Sequence, residues 1–333
     1  MNQYVLKVGA DIASEWFDVC LMLDEKPQFR KFDNDFSGFT KALRWFQSFS
    51  PDSIELVLEP TGRYGEWLSE FMHANGVRVL QAQPLLLRRY AESLDLRGKS
   101  DHKDCLALCK YAHERGNKIR EWQPKTDLEL ELRDMQVLLR SIGKRRVVIK
   151  CQLECKLRSE YVRQALLAEL EQVEKSFDEA LKRSHLLIKQ NDRLSKDLEF
   201  IDSIPGIGLQ TAILLVTMID FRKFKSARAV ACFLGLTKKK HQSGTSIRGD
   251  EGMSKRGNTF IRSSLFMPAR ASVQNDEVSA ALYQRLRLKG SLDVQAQVAV
   301  IRRMVTIAWA LVKNQKPFDH NHVAAYRHQE ATV

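Results

Sequence analysis

The sequence predicts an α/β domain followed by a mainly helical remainder. Within residues 1–122, β-rich and amphipathic runs follow one another in the order β-β-β-α-β-α-β. Residues 123–198 are charged and helical in period, and Gly143 is the only Gly or Pro between Pro124 and Pro205. Gly-containing turns and further helical runs fill residues 199–320, and residues 321–333 are predicted to be a tail.

The first half of the N-terminal domain is predicted to be an antiparallel meander. Residues 4–10, 17–23 and 28–32 are runs of strand-forming residues, and Asp11 stands where the first run ends. Residues 36–49 have helical periodicity, with Ser37 as the predicted N-cap.

The second half adds a strand whose end carries another acid. Residues 54–58 form a short β-rich run that ends at Glu59, and Pro60-Thr61-Gly62 then turns the chain. A helix over residues 64–74 and a strand over 77–81 follow. This order is that of a ribonuclease-H-like fold, in which strands one and four are neighbours, although a fold does not by itself give a function.

Two further acids stand at the start of the next helix, in the segment Lys99-Ser100-Asp101-His102-Lys103-Asp104. Asp101 and Asp104 are three residues apart, so they share a helix face, and Ser100 is the predicted N-cap. Two carboxylates this close repel each other unless a cation lies between them. An isolated pair of this kind is also typical of a solvated helix start. Together with Asp11 and Glu59, the pair predicts a site for Mg²⁺ or Mn²⁺ bound to phosphate oxygens.

Composition indicates a globular protein with a polyanionic partner. The 333 residues are 44% hydrophobic, and the net charge is +12 with a pI of about 9.4. Residues 1–100 carry a net charge of −2 (12 Lys and Arg against 14 Asp and Glu), so the excess of positive charge lies after them. This division favours a metal site delivered to nucleic acid by a basic neighbour, with a basic solvated surface as the alternative.

The cysteines and the N-terminal residues predict a cytosolic protein. The six cysteines show neither a disulfide framework nor zinc-like spacing with a second ligand group, so we interpret them as reduced and structural. No signal peptide and no apolar run of membrane-spanning length is visible.

The helical segment 123–198 carries apolar stripes, which predict a helical hairpin or a coiled coil across domains or between subunits. It also carries a basic cluster, for which nucleic-acid contact and a solvated face are equally good interpretations. The cluster consists of Arg140, Lys144, Arg145, Arg146 and Lys150.

A glycine-containing hairpin follows, in the segment Ser203-Ile204-Pro205-Gly206-Ile207-Gly208. It resembles the turn of helix-hairpin-helix modules, so Gly206 and Gly208 are predicted to let backbone N–H groups approach a DNA phosphate. A tight turn between two packed helices is the alternative interpretation.

Residues 233–257 are predicted to form a phosphate-binding loop. Gly, Ser and Thr alternate there with cations, which suits backbone amides and charges that hold phosphates. The cations are Lys238, Lys239, Lys240, Arg248, Lys255 and Arg256. Ser243, Ser246 and Ser254 are candidate nucleophiles, because a serine can attack a phosphodiester where cations stabilise its alkoxide. A loop that only binds phosphate fits the same composition.

Taken together, these motifs resemble the DEDD-type transposases of insertion sequences, the IS110 family, which are related to the Piv/MooV DNA invertases. The resemblance extends over nearly the whole chain and rests on motifs that fall in the family's order. They are the strand-end acids, L-E-P-T-G-x-Y around Glu59, K-S-D-x-x-D, S-I-P-G-I-G and G-L-T-(x)₅-S-G-(x)₂-R-G.

The resemblance implies a function and a set of site residues. It implies a RuvC-like tetrad of Asp11, Glu59, Asp101 and Asp104 that binds Mg²⁺, and a catalytic serine at Ser243 that forms a covalent 5′-phosphoserine link to DNA. It also implies a bridge RNA that pairs with target and donor DNA, a dimer or tetramer as the working unit, and a bacterial, nucleoid-associated protein. Family members often have Lys shortly after the first Asp, where this chain has Ser14.

Two other functions fit parts of the sequence. One is a RuvC-like nuclease of the junction-resolving type, in which the carboxylates activate water and Ser243 only binds phosphate. The other is a nucleic-acid-binding protein without catalysis, whose acids are structural. Transposition and DNA inversion are equally compatible with the motifs. The chain has no P-loop, and a serine ester conserves the energy of the broken phosphodiester, so rejoining needs no ATP.

Overall fold

The computed structural model describes residues 4–60, 62–94, 101–243, 247–254 and 256–319, without the side chains of Asp101 and of residues 239–243 and 247–251. Lys99, the predicted N-cap Ser100, Ser246, Lys255 and the predicted tail lie outside the described residues. The chain divides into two compact units, Met1–Lys125 and Thr126–Val333. The further boundary near residue 198 stays a prediction.

The first unit is built on one mixed six-stranded sheet. Its strands are β1 (Val5–Ile12), β2 (Trp16–Leu23), β3 (Lys26–Asp33), β4 (Ser53–Leu58), β5 (Arg78–Gln81) and β6 (Arg120–Glu121). Its helices are α1 (Phe36–Gln47), α2 (Glu66–Ala74), α3 (Pro84–Ser93) and α4 (Asp101–Arg115), with a 3₁₀ turn at Gly116–Lys118. The strand order is β3-β2-β1-β4-β5-β6, with β1 antiparallel to β2 and parallel to β4. Strands one and four are therefore neighbours, as the sequence predicts, and the topology is that of a ribonuclease-H-like domain.

The two faces of this sheet are covered by different helices. Val8 and Ala10 of β1 lie in a large apolar cluster that includes Phe39 of α1 and Met72 of α2. Gly9, between them, faces α4. Because side chains alternate along a strand, residues 7, 9 and 11 share the α4 face.

The predicted N-cap of α1 is wrong by two residues. Asp35, rather than Ser37, precedes the helix in extended conformation, and its carboxylate accepts a hydrogen bond from Gly38 N at 2.7 Å. Asp35 can cap because β3 ends close by, which leaves residues 36 and 37 inside the first helical turn.

The second unit is mostly helical. Its helices are α5 (Asp127–Glu154), α6 (Glu160–Lys189), α7 (Asp192–Asp202), α8 (Leu209–Met218), α9 (Ala227–Phe233), α10 (Thr259–Ser264), α11 (Phe266–Asn275), α12 (Glu277–Leu288) and α13 (Asp293–Asn314), with a 3₁₀ turn at Phe221–Lys223. A two-stranded sheet is formed by β7 (Lys238–Ser243) and β8 (Ile247–Met253). The apolar core of the unit brings α8, α9 and α13 together, for example at Ile213, Val230 and Met304.

The long helices α5 and α6 pack side by side in opposite directions. Ion pairs join Arg183 to Glu131 at 3.0 Å and Arg145 to Glu169 at 2.7 Å, and Leu139 packs against Phe177. The helical hairpin is therefore present, while the coiled-coil geometry and its subunit contacts stay predictions.

The loop predicted over residues 233–257 is instead a β-hairpin for most of its length. β7 pairs antiparallel with β8 from Lys238 opposite Met253 to Ser243 opposite Ile247. Lys, Gly and Ser have low strand propensity, which is why the sequence indicated a loop. Backbone pairing between the two segments outweighs that propensity.

Within the described residues, no helix is long and apolar enough to cross a membrane.

Candidate functional site

Gly9 allows α4 to lie directly on β1. A Cβ atom built on Gly9 would lie 2.4 Å from Cys109 N and 2.7 Å from the carbonyl oxygen of Cys105. Both of these are backbone atoms of α4, so a larger residue at position 9 would force the helix away from the sheet. This close approach fixes where α4 begins relative to the strand ends.

α4 runs antiparallel to β1, which brings its first turn to the end of the strand. The Cys109 thiol donates to the carbonyl oxygen of Lys7 at 3.7 Å, and one helical turn earlier the Cys105 thiol donates to that of Gly9 at 3.1 Å. Four residues of helix advance about 6 Å and two residues of strand advance about 6.6 Å, so the spacing of these contacts is the same along both elements. Moving four residues back along the helix and two residues forward along the strand from Cys105 and Gly9 leads to position 101 beside Asp11.

The same register directs the Asp104 end of α4 toward the end of β4, after which Glu59 comes. Leu108 of α4 and Val57 of β4 lie in one apolar cluster. Asp104 comes four residues before Leu108 in the helix, and Glu59 comes two residues after Val57 along the strand direction, so each acid lies on the same face as its apolar neighbour. β1 and β4 are parallel, and their last registered pair is Ala10 with Leu58, immediately before Asp11 and Glu59.

This register directs the first turn of α4 toward the corner of the sheet where β1 and β4 end. Asp11, Glu59 and Asp104 are each half-buried there, and the backbone of Asp101 starts the helix at the same corner. Hard carboxylate oxygens are the donors that Mg²⁺ and Mn²⁺ prefer, so the residue types fit such an ion. Among the described side chains, which do not include Asp101, no three His, Cys, Asp or Glu groups meet closely enough to hold a metal ion.

A fifth carboxylate, which the sequence interpretation missed, lies beside the first. Asp18 of β2 is directly opposite Asp11 in the β1–β2 pairing and is only 8% exposed. Its carboxylate lies 3.9 Å from the ammonium group of Lys31, which is opposite it on β3. The sequence signal was the acid inside the apolar run Phe17–Leu23, since an aspartate in a buried strand requires a polar partner.

A cluster of thiols supports α4 beneath this corner. Cys20, Cys105 and Cys109 are fully buried against one another. Burial raises the pKa of Cys105, and a hydrogen bond with Cys105 raises the pKa of Cys20 to about 12. The backbone of Asp11 is itself within hydrogen-bonding reach of the Cys105 thiol, which again places α4 at the end of β1. These thiols are protonated and serve packing.

The predicted nucleophile lies near the tip of the β7–β8 hairpin. Ser243 is the last residue of β7 and pairs with Ile247, while Ser254 lies at the other end, where its N–H donates to the carbonyl oxygen of Thr237 at 2.8 Å. Lys238, Lys239 and Lys240 are the first three residues of β7, and Arg248 lies opposite Gln242. Arg256 is exposed just past the base of the hairpin. The hairpin therefore separates the candidate serines, with Ser243 near the tip and Ser254 at the base.

The two glycines of the predicted phosphate-binding turn differ in their surroundings. Gly206 has φ +89° and packs against α11, where an added Cβ would lie 2.5 Å from Ser272 N. Gly208 is exposed, has open space around its Cα, and precedes the first turn of α8 without a side-chain cap. Gly206 thus serves packing between helices, and the backbone at Gly208 is the part of the turn that can reach a phosphate.

Comparison with known proteins gives matches over most of the chain. Residues 8–162 match the family model described as "Transposase", of the DEDD IS110 type, and residues 198–284 match that of the "Transposase IS116/IS110/IS902 family". The chain is 30% identical over 316 residues to the pilin gene-inverting protein of Moraxella bovis, covering 94% of this chain and 97% of that protein. It is also 30% identical over 145 residues to the transposase for insertion sequence element IS1111A of Coxiella burnetii, covering 42% and 40% of the two chains.

Proposed function

Because this chain belongs to the IS116/IS110/IS902 family of DEDD transposases, we propose that it cleaves and rejoins DNA through Ser243, assisted by a divalent metal ion at Asp11, Glu59, Asp101 and Asp104. Family membership makes the chain a DNA-recombining enzyme. The observation that supports the metal site best is the register of α4 on the sheet, which brings the acid-bearing first turn to the ends of β1 and β4.

The carboxylates would hold Mg²⁺ or Mn²⁺ through hard oxygen ligands. Such an ion stabilises negative charge on a phosphoryl group and lowers the pKa of a bound hydroxyl. Asp11 and Glu59 come from neighbouring strands whose backbone is fixed by the sheet, so these two ligands are held rigidly. Asp101 and Asp104 depend instead on the seating of α4, which Gly9 and the thiol cluster control.

The proposed reaction uses Ser243 as the nucleophile. Its hydroxyl gives up its proton as the oxygen attacks the scissile phosphorus. The bond between serine and the 5′-phosphate forms while the bond from phosphorus to the 3′ oxygen breaks, and the 3′ oxygen takes up a proton and leaves as a hydroxyl. The 3′ hydroxyl of the exchanged strand then attacks the same phosphorus, which restores the phosphodiester and releases the serine with its proton. One phosphate ester replaces another at each step, so no external energy source is needed.

Cations and backbone amides of the second unit would hold the DNA backbone. Lys238, Lys239, Lys240 and Arg248 on the hairpin, Lys255 and Arg256 after it, and the backbone of Gly208 are the proposed contacts, with Gly206 shaping the turn. We propose that a structured bridge RNA supplies sequence recognition and that the working unit is a homo-oligomer, on the strength of the family resemblance.

The first test of the proposal is a search for a covalent protein–DNA adduct. Purified protein, Mg²⁺, co-purifying RNA and a supercoiled plasmid with joined element ends and target are mixed and analysed on a denaturing gel. We expect an adduct in the wild type and in Ser254→Ala, and none in Ser243→Ala or Asp11→Asn. Cleavage that persists in Ser243→Ala without an adduct would leave a metal-dependent nuclease, and an adduct lost only in Ser246→Ala would move the nucleophile to Ser246.

DNA inversion is the second candidate function. It is favoured by the similarity to the pilin gene-inverting protein, which extends over 94% of this chain. A plasmid with two sites in opposite orientation distinguishes the two outcomes, because inversion changes only the restriction pattern whereas transposition moves the element to a new molecule.

A further inference from the structure

The β7–β8 hairpin is tightly closed at its base, and this closure has a specific cause. Gly257, after β8, lies against the turn before β7, and a Cβ added to it would lie 2.3 Å from the carbonyl carbon of Leu234. Beyond the last registered strand pair, Ser254 N donates to the carbonyl oxygen of Thr237 at 2.8 Å. The two ends of the hairpin are therefore in direct backbone contact.

One side chain of α10 connects both ends. The guanidinium group of Arg262 donates through Nη1 to the carbonyl oxygen of Leu234 at 3.0 Å and to that of Gly257 at 2.6 Å. Its Nη2 donates to Thr259 Oγ1 at 3.1 Å, which fixes the plane of the group. A charged donor makes stronger hydrogen bonds than a neutral backbone N–H, and here Nη1 donates to both carbonyl oxygens while Nη2 is held by Thr259.

α10 is itself anchored, so the connection is rigid. Asn258 caps the helix, with its Oδ1 accepting from Phe260 N at 2.9 Å. The guanidinium of Arg140 in α5 lies 4.6 Å from the centre of the Phe260 ring, a cation–π contact between the helical pair and α10. Ile261 is buried in the core of the unit.

We propose that Arg262 is a positioning residue that fixes the base of the β7–β8 hairpin and thereby directs Ser243 at the scissile phosphate. The inference rests on the proposed role of Ser243. A two-stranded hairpin is marginally stable alone, so its direction depends on its base. From the base to Ser243 the strand extends about 17 Å, so a tilt of about 10° at the base moves the serine by about 3 Å. A displacement of about 1 Å can lower a rate by about 100-fold, so the base must be held firmly.

The test compares Arg262→Lys with the matched control Arg285→Lys, at an exposed position of α12. Lysine keeps the charge, but it has no second nitrogen for Thr259 Oγ1, so its ammonium group is not held in the fixed plane from which Nη1 serves both carbonyls. At saturating DNA we expect the single-turnover rate constant of adduct formation to fall by about 10- to 100-fold in Arg262→Lys. The dissociation constant for DNA and the final amplitude should remain close to those of the wild type. Backbone amides of residues 238–253 should exchange hydrogen for deuterium faster, without faster exchange in α13.

Other results would overturn the inference. If Arg262→Lys lowers the final amplitude of adduct formation and leaves the rate constant unchanged, the substitution only reduces the fraction of folded protein. If hairpin exchange and rate constant both match those of Arg285→Lys, Arg262 does not position the serine. Arg140→Gln provides a second variant, which leaves the hydrogen bonds of Arg262 in place and removes the contact with Phe260. We expect it to lower the rate constant of adduct formation less than Arg262→Lys does. Failure of the proposed function is distinguishable, because an adduct that persists in Ser243→Ala excludes Ser243 whatever Arg262 does.

Discussion

At the scale of single residues, Asp11 is the acid that the sheet holds most directly, because it belongs to β1 and lies opposite Asp18. If it binds a divalent ion, Mn²⁺ or Mg²⁺ should stabilise the folded protein. At a concentration 100 times the dissociation constant the gain is about 2.7 kcal/mol. We expect Asp11→Asn to lose most of this increment, as measured by thermal unfolding with and without the ion.

The control for this measurement is Asp52→Asn, at the opposite end of the sheet. The Asp52 carboxylate accepts a hydrogen bond from Tyr4 N at 2.7 Å, so its removal affects stability away from the proposed metal site. The stability that Asp52→Asn gains when the ion is added should equal the gain of the wild type. If Asp11→Asn gains as much stability from the ion as Asp52→Asn does, the assignment of Asp11 as a metal ligand is wrong.

His113 gives a pH prediction in the same unit. Its Nδ1 lies 2.9 Å from the carbonyl oxygen of Cys109, and contact with the Cys109 thiol raises the pKa of the imidazole above its usual 6.5. A raised pKa in the folded state means that the protonated form is favoured by folding. This stabilisation is fully present below pH 6.5 and is lost as the pH rises through the folded-state pKa.

The measurement is the melting temperature of the wild type and of His113→Asn between about pH 5 and pH 8. We expect the difference in favour of the wild type to be largest at the acidic end and to shrink as the pH rises. His185→Asn, in α6, controls for a general effect of losing an imidazole. A difference that grows with pH would reverse the sign and refute the prediction.

At the scale of elements, the contact between β1 and α4 depends on the absence of a side chain at position 9. Gly9→Ala should destabilise the protein by about 1–3 kcal/mol, because the new methyl group meets backbone atoms that cannot move independently. It should also weaken the ion-dependent stabilisation, since α4 carries two of the proposed ligands.

Gly143→Ala is the matched control for this substitution. Gly143 lies inside α5, where an added Cβ would be 3.9 Å from Phe177 Cε2, an ordinary contact. Alanine there should stabilise the helix by about 0.8–1 kcal/mol, because glycine is a poor helix former. Chemical denaturation measures both changes, and a neutral Gly9→Ala would mean that α4 can shift without cost.

The same elements explain how far the sequence could predict the fold and the site. The strand order and the acids at the ends of β1 and β4 were predictable because buried strands have a clear apolar pattern and Asp11 and Glu59 interrupt it at their ends. Asp18 was missed because strand pairing, which sets Asp18 opposite Asp11, depends on the length of the turn between β1 and β2.

The second unit was harder to predict because its key contacts are backbone contacts. The β7–β8 hairpin has no apolar alternation, so its composition indicated a loop. Arg262 carried no signal either, because its partners are carbonyl oxygens of Leu234 and Gly257, which any residue would supply. The glycine at position 257 was visible in the sequence, but the close approach that requires it was not.

At the scale of the whole molecule, the charge is divided between the two units. Residues 1–125 hold 18 Lys and Arg and 18 Asp and Glu, so they are neutral, and the net charge of +12 belongs to residues 126–333. A neutral unit whose site consists of carboxylates is not attracted to the DNA backbone unless a cation is bound. Attraction to phosphate therefore belongs to the second unit.

This division predicts where the salt dependence of DNA binding arises. Each phosphate contact that is lost should reduce the slope of log affinity against log salt by about 0.9. We expect this reduction for Arg256→Gln, beside the base of the β7–β8 hairpin, with an equal loss of affinity for unrelated DNA sequences. Lys41→Gln, on the exposed side of α1 in the neutral unit, removes the same charge and should leave the slope unchanged. Equal slopes for the two variants would show that net charge alone, and not contact at the hairpin, attracts the DNA.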